Sequence, residues 1–224
     1  MEIRTFSDHN SFLAEAGELL AEHLALVCHT AHGVVLAGGN TPLPVYRAVA
    51  AKPPVVDKSL RILFSDERMA PDDSAESNYA NMRPMLEALG LPAEHVLKVA
   101  TDHPLEEAVE KYDNALREFV RVGGVITLAV LGLGADGHTA SLFSVDAARA
   151  GGDDCAVAVP REIGPDRVSM TSRFLCRAER IVFWVAGEDK ADVVARLQRE
   201  PDALPAGVAV QDAGNVELWY SPNT

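Results

Sequence analysis

The stretch VITLAVLGLGADGHTASLF, residues 125–143, opens with seven residues of which six are apolar, then places three glycines within six positions. An apolar run without two-residue alternation suits a strand covered on both faces, as in a parallel sheet between layers of helices. Gly132, Gly134 and Gly137 then let the chain turn sharply where that strand ends. Their spacing is a formal match to the G-x-G-x-x-G dinucleotide fingerprint, which needs an acid at the end of the following strand, about 20 residues on. Here Asp153 and Asp154 precede the next strand, and His138 directly after the third glycine would crowd a pyrophosphate. The loop is therefore read as one that presents Asp136 and His138.

Outward from this strand, short apolar runs at 34–37, 61–64, 156–159, 180–185, 207–210 and 216–219 read as further strands. Between them lie amphipathic patterns. Phe12, Leu13, Ala16, Leu19, Leu20, Leu24 and Val27 mark a helix over 11–30, with Ser7 or Asp8 as its cap. Leu105, Ala108, Val109, Tyr112, Leu116, Phe119 and Val120 mark another over 105–121, and shorter patterns begin at Pro42, Tyr79 and Asp189. Strands alternating with helices predict an α/β fold, a mostly parallel sheet with helices on both faces, in one domain spanning 1–224. In such a sheet, ligands bind along the edge formed by the carboxyl ends of the strands. That edge gathers GGNTP (38–42), SDERMAP (65–71), the 132–143 loop and GEDK (187–190).

Composition narrows the function. The chain is 48% hydrophobic and 24% charged, so a normal core can form. A formal charge of −13 opposes nucleic acid and anionic membrane surfaces while leaving room for a local basic pocket that takes a small anion. Cys28, Cys155 and Cys176 show neither metal-ligand nor CxxC spacing, and free thiols fit a reducing cytoplasm. The first residues have no signal-peptide core, and no run of about 18 apolar residues suggests a membrane span.

Each loop has a functional and a plain reading. Gly38 and Gly39 permit close approach of a ligand, and Asn40 or Thr41 caps a helix whose free amides suit a phosphate; a tight strand-to-helix turn accounts for the same residues. No Walker lysine is present. Asp66-Glu67-Arg68 is either a surface ion-pair cluster, or an arginine that grips phosphate beside a carboxylate that orients sugar hydroxyls. Asp136 can fix the tautomer of His138 so that its other nitrogen takes a proton from water, with Thr139 and Ser141 adding hydroxyls. Lys190 sits in the first turn of a helix, where the dipole disfavours cations, so a bound anion or an acidic neighbour is its expected partner.

Taken together, LAGGNTP, FSDERMAPDDSAESNY, LAVLGLGADGHTASLF, RVSMT and VAGEDKADVVARL resemble, in that order, the 6-phosphogluconolactonases of the glucosamine-6-phosphate isomerase/6-phosphogluconolactonase family. The resemblance implies the fold of glucosamine-6-phosphate deaminase, ribose-5-phosphate isomerase and CoA-transferase, and hydrolysis of 6-phosphoglucono-1,5-lactone in the oxidative pentose phosphate pathway. It implies His138 as general base supported by Asp136, and Arg68 and Lys190 on the phosphate. It also implies Gly38, Gly39, Asn40 and Thr41 as its cradle, and Arg167 as a further anion contact. Asp66 and Thr139 complete the expected substrate contacts. A cytoplasmic monomer or weak homo-oligomer with no cofactor and no metal is implied. Ser144 follows HTASLF where the family usually has proline, and the ending ELWYSPNT lacks the common tail. The deaminases continue HIAFNEP and carry M-D-E-Y, and neither feature is present. A sugar-phosphate sensor of a transcription regulator would add a helix-turn-helix, for which the sheet domain leaves no room.

Overall fold

The computed structural model describes residues 1–223. In chain order its elements are β1 (Glu2–Thr5), α1 (His9–Leu24), β2 (His32–Leu36), α2 (Leu43–Ala51), β3 (Leu60–Phe64), β4 (Asp66–Arg68) and α3 (Asn78–Ala88). There follow β5 (Val96–Leu97), α4 (Leu105–Arg121), β6 (Val125–Leu131), α5 (Val145–Arg149), β7 (Ala156–Val159), β8 (Arg167–Met170) and α6 (Ser172–Leu175). The last are β9 (Ile181–Ala186), α7 (Ala191–Arg199), α8 (Pro205–Ala209) and β10 (Val216–Ser221).

Seven strands form one sheet in the order β1-β10-β9-β6-β2-β3-β5, with every neighbouring pair parallel. Residue alternation along the central strands sends side chains to two separate cores. Val34, Leu36, Leu128, Val130, Val182 and Trp184 join one with the buried stripes of α1, α2 and α3. Val35, Ala129, Leu131, Phe183 and Val185 join the other, which holds the stripe Ala108, Tyr112, Leu116 and Phe119 of α4. Each fully buried large side chain contributes roughly 1.5–3 kcal/mol. Both faces of these strands are therefore dry, as the unalternated apolar run of β6 requires.

Local chemistry sets the helix starts. Asp8 caps α1 by accepting from Ser11 N at 2.9 Å, and Ser77 caps α3 by accepting from Ala80 N at 3.1 Å. The helix expected over 11–30 ends at Leu24, because the chain must leave it to enter β2 at His32, and Val27 is 81% exposed. The expected strand at 207–210 is instead the helix α8. Pro205 stands in its first turn, and all five of its residues are buried, a case in which hydrophobicity alone does not separate strand from helix. Asn40 and Thr41 do not cap α2, which starts behind Pro42 without a side-chain cap.

The polar stretch after β3 is not all loop. Asp66–Arg68 forms β4 in a second, antiparallel sheet of order β4-β8-β7, to which the run at 156–159 also belongs. A three-residue charged strand carries no apolar pattern of its own; the partner strand β8 supplies its ladder. Tyr112 fixes the turn out of β3, its hydroxyl donating to Phe64 O at 2.5 Å and accepting from Phe64 N at 3.0 Å. None of the helices among the described residues is long and apolar enough to cross a membrane.

Candidate active site

The loop after β6 is closed by its own backbone. Gly134 N donates to His138 O and Gly137 N to Gly134 O, both at 2.9 Å, and Thr139 Oγ1 donates to Gly132 O at 2.9 Å. Gly137 adopts φ +89° with Leu204 packed against it, and Ala206 N of α8 donates to Gly137 O at 2.9 Å. Thus the helix that sequence reading took for a strand braces the loop.

This turn brings Asp136 Oδ1 to 2.5 Å from His138 Nδ1 and 3.2 Å from His138 N. A carboxylate can only accept, so Nδ1 carries a proton, and in the neutral ring Nε2 presents the lone pair. Partial burial pushes the Asp136 carboxyl upward, but hydrogen bonds from the His138 ring and backbone outweigh it and hold the group below its usual value. Asp136 therefore stays charged at neutral pH. The ring of Phe143 packs on that of His138, centroids 4.6 Å apart, and Arg161 covers Phe143 at 4.1 Å. Gly134 has no room for a side chain, since a methyl group there would run into both His138 and Asp136.

His138 faces a cleft of about 450 Å³ at the carboxyl edge of the sheet. Its walls bring together Gly38, Gly39, Asn40, Thr41, Asp66, Arg68, Thr139, Arg167 and Lys190, all the expected contacts except Asp136, which stands behind the histidine. Gly39 takes φ +102°, and Gly38 lies so close to the Asn78 amide that no Cβ fits. The Thr139 hydroxyl is committed to the loop through Gly132 O.

The adjacent acids separate. Asp66 lines the cleft, its Oδ2 accepting from Ser141 Oγ at 2.6 Å and its Oδ1 from Ser65 Oγ at 3.1 Å. Glu67 turns away to the start of α3, where Arg68 N, Asn78 N and Tyr79 N each donate to it at 2.7 Å. Burial pushes the Glu67 carboxyl upward despite these donors. Arg68 Nη1 donates to Glu76 O at 2.6 Å, and Lys190 Nζ donates to Leu133 O at 3.1 Å from the opposite flank of the cleft. Arg167 stands across the small sheet from Arg68, in direct register, with Asp66 Oδ2 3.9 Å from its guanidinium.

Sequence reading missed Asn78, which is buried in the cleft wall and donates Nδ2 to Asp66 O at 2.8 Å, joining the Gly38 turn to β4. Only its place at the head of α3 hinted at a role. Trp184 and Arg161 were missed as well, the first because a strand tryptophan reads as core, the second because its neighbourhood depends on the β7–β8 turn.

A parallel α/β sheet with a histidine–carboxylate pair and three cations around one cleft at its carboxyl edge defines a protein for a small anionic ligand. The comparisons narrow the class. The model of the family described as glucosamine-6-phosphate isomerases/6-phosphogluconolactonase matches residues 7–219, and the chain belongs to that family. It is 31% identical over 198 residues to a 6-phosphogluconolactonase of Haemophilus influenzae, covering 86% of this chain and 84% of that one. It is 34% identical over 177 residues to that of Thermotoga maritima, covering 77% of each. A solved 6-phosphogluconolactonase structure from Thermotoga maritima superposes with TM-score 0.79 at 28% identity, covering 100% of this chain and 99% of that one. A monomeric glucosamine-6-phosphate deaminase superposes with TM-score 0.81 at 15% identity, covering 99% and 97%, and shares the fold.

Proposed function

We propose that this protein hydrolyses 6-phospho-D-glucono-1,5-lactone to 6-phospho-D-gluconate, a step of the oxidative pentose phosphate pathway. The observation that carries the reading is the His138–Asp136 pair at the head of a cationic cleft, in a chain whose relatives bear the name 6-phosphogluconolactonase. His138 Nε2 takes a proton from water, which attacks the lactone carbonyl carbon, while Asp136 holds the ring and stabilises the imidazolium that forms. A strained cyclic ester needs no covalent enzyme intermediate, and the reading calls for no cofactor or metal.

Arg68 and Lys190 hold the phosphate, with the Gly38–Thr41 turn and the uncapped start of α2 offering backbone amides. Asp66 orients sugar hydroxyls. Residues 1–224 act as one domain, a cytoplasmic monomer or weak homo-oligomer, and the net charge of −13 supports a small-molecule partner over nucleic acid.

The test is hydrolysis of freshly generated 6-phosphogluconolactone, corrected for the spontaneous reaction. His138→Ala is expected to lose about 10²–10⁴-fold in kcat while the fold persists by circular dichroism. Wild-type protein with no rate above background would remove the lactonase reading; full activity in the variant would remove His138 from it.

A further inference from the structure

Water attack on the lactone moves the carbonyl π pair onto oxygen, and that oxyanion needs a donor distinct from the groups on the phosphate. We propose that Arg167 is the catalytic residue that donates to this oxyanion, its guanidinium standing in the cleft wall beside the loop of His138. The assignment rests on the lactonase reading above.

The three cations lining the cleft differ in what already holds them. Lys190 donates to Leu133 O, and Arg68 donates to Glu76 O. The Nε of each arginine is sealed from solvent without a partner, but the Arg167 guanidinium makes no hydrogen bond at all among the described residues, with Asp66 at 3.9 Å beyond hydrogen-bond range. Its donors are uncommitted.

Position separates the two arginines further. They face each other in register; the Arg68 head donates to Glu76 O in the 69–77 loop, and the Arg167 head lies 3.9 Å from Asp66 Oδ2 and 5.8 Å from the centre of the Phe143 ring. Phe143 is the ring that packs on His138. Ser141, on the histidine loop, ties this corner together, donating Oγ to Asp66 at 2.6 Å and N to Ser169 Oγ on β8 at 3.1 Å. These bonds tie the loop of the base to both strands of the ribbon, and the Arg167 guanidinium stands in that corner, whereas the Arg68 head is hydrogen-bonded to Glu76 O. Burial and the nearby charge of Arg68 push the Arg167 guanidinium below its usual value, so incoming negative charge relieves an under-compensated cation.

The step balances. The water oxygen bonds to C1, its proton passes to His138 Nε2, and the carbonyl electron pair becomes the oxyanion held by Arg167. Collapse re-forms the C=O, breaks the bond from C1 to the ring oxygen, and returns the proton from His138 to that oxygen as the C5 hydroxyl. C1 is separated from the phosphate by the ring oxygen, C5 and C6, so one guanidinium does not serve both ends.

The experiment compares R167Q, R167K and R68A with wild type in two assays: steady-state kinetics on 6-phosphogluconolactone, and calorimetric binding of glucitol 6-phosphate, which has the phosphate but no carbonyl. R167Q is expected to lose about 10²–10³-fold in kcat. It should keep its affinity for glucitol 6-phosphate within about twofold, and guanidinium ion added to R167Q should recover part of the rate. R167K, which keeps the charge on a shorter reach, is expected between the two and guards against a fold defect in R167Q. R68A should weaken glucitol 6-phosphate at least tenfold. Unchanged kcat in R167Q, or a loss of glucitol 6-phosphate affinity as large as its loss in kcat/KM, overturns the assignment and makes Arg167 a phosphate ligand. An inactive wild type would instead sink the lactonase reading itself.

Discussion

Replacing Gly134 by alanine tests whether the geometry of the His138–Asp136 pair, and not just its presence, carries activity. Gly134 has an ordinary backbone conformation, so the substitution introduces no φ strain and acts only through its methyl group. That methyl would lie 2.5 Å from Asp136 Oδ1 and closer still to His138 Nδ1 and Cε1, about 1 Å inside ordinary contact. The His138 and Asp136 side chains are 28% and 60% exposed, so they can swing outward at a stability cost of about 1 kcal/mol. The same swing opens the 2.5 Å bond and misplaces Nε2 by about 1 Å, worth about 10²-fold in rate. The expected result is a kcat lowered about 10²-fold, KM little changed and a melting temperature a few degrees lower. Gly132→Ala is the matched control for stability, because nothing lies within 4 Å of its added methyl, and it should melt as wild type does. A Gly134→Ala enzyme within threefold of wild-type kcat would refute the reasoning.

Arg68→Ala and Lys190→Ala are expected to raise KM for the phosphorylated lactone about tenfold or more, with a much smaller effect on the unphosphorylated lactone; equal effects on both substrates would exclude a phosphate role. Glu67→Gln leaves the three amides at Arg68, Asn78 and Tyr79 without a carboxylate and should cost about 2–3 kcal/mol in urea unfolding, while a change below about 0.5 kcal/mol would dismiss Glu67 as the clamp of α3. Burial holds His32 below its ordinary 6.5, and burial with the charge of Arg180 does the same for His23. The unfolded chain therefore binds more protons than the folded one below about pH 6.5, and stability should fall as pH drops through that region until the depressed folded values are reached. A melting temperature that is flat from pH 7.5 to 5.5 would count against this.

A residue that binds phosphate shows itself in ground-state affinity, whereas one that meets the oxyanion acts only as the reaction proceeds. The register of β4 with β8 sets Arg68 and Arg167 opposite each other on neighbouring strands, so the two can be compared within one ribbon.

Much of this was legible from the residues in order. The unalternated run at 125–131 required a strand dry on both sides, the stripe of 105–121 required a packed helix, and glycines at 132–137 required a sharp turn before His138. These are local facts of period, backbone freedom and apolar content, and they suffice for a parallel α/β sheet with its loops along one edge. Tertiary structure alone decided which of two adjacent acids faces the cleft. Alternation along β4 turns Asp66 inward and gives Glu67 to the start of α3, an outcome fixed by pairing with β8, a hundred residues away in the chain. It also decided that 205–209 coils into a helix bracing Gly137, because a short buried apolar run takes its conformation from its neighbours. Asn78 entered the site the same way, through a contact that no local pattern encodes. What the chain specifies locally is where it can bend and what it must bury; which side chains then meet depends on strands that find each other across the fold.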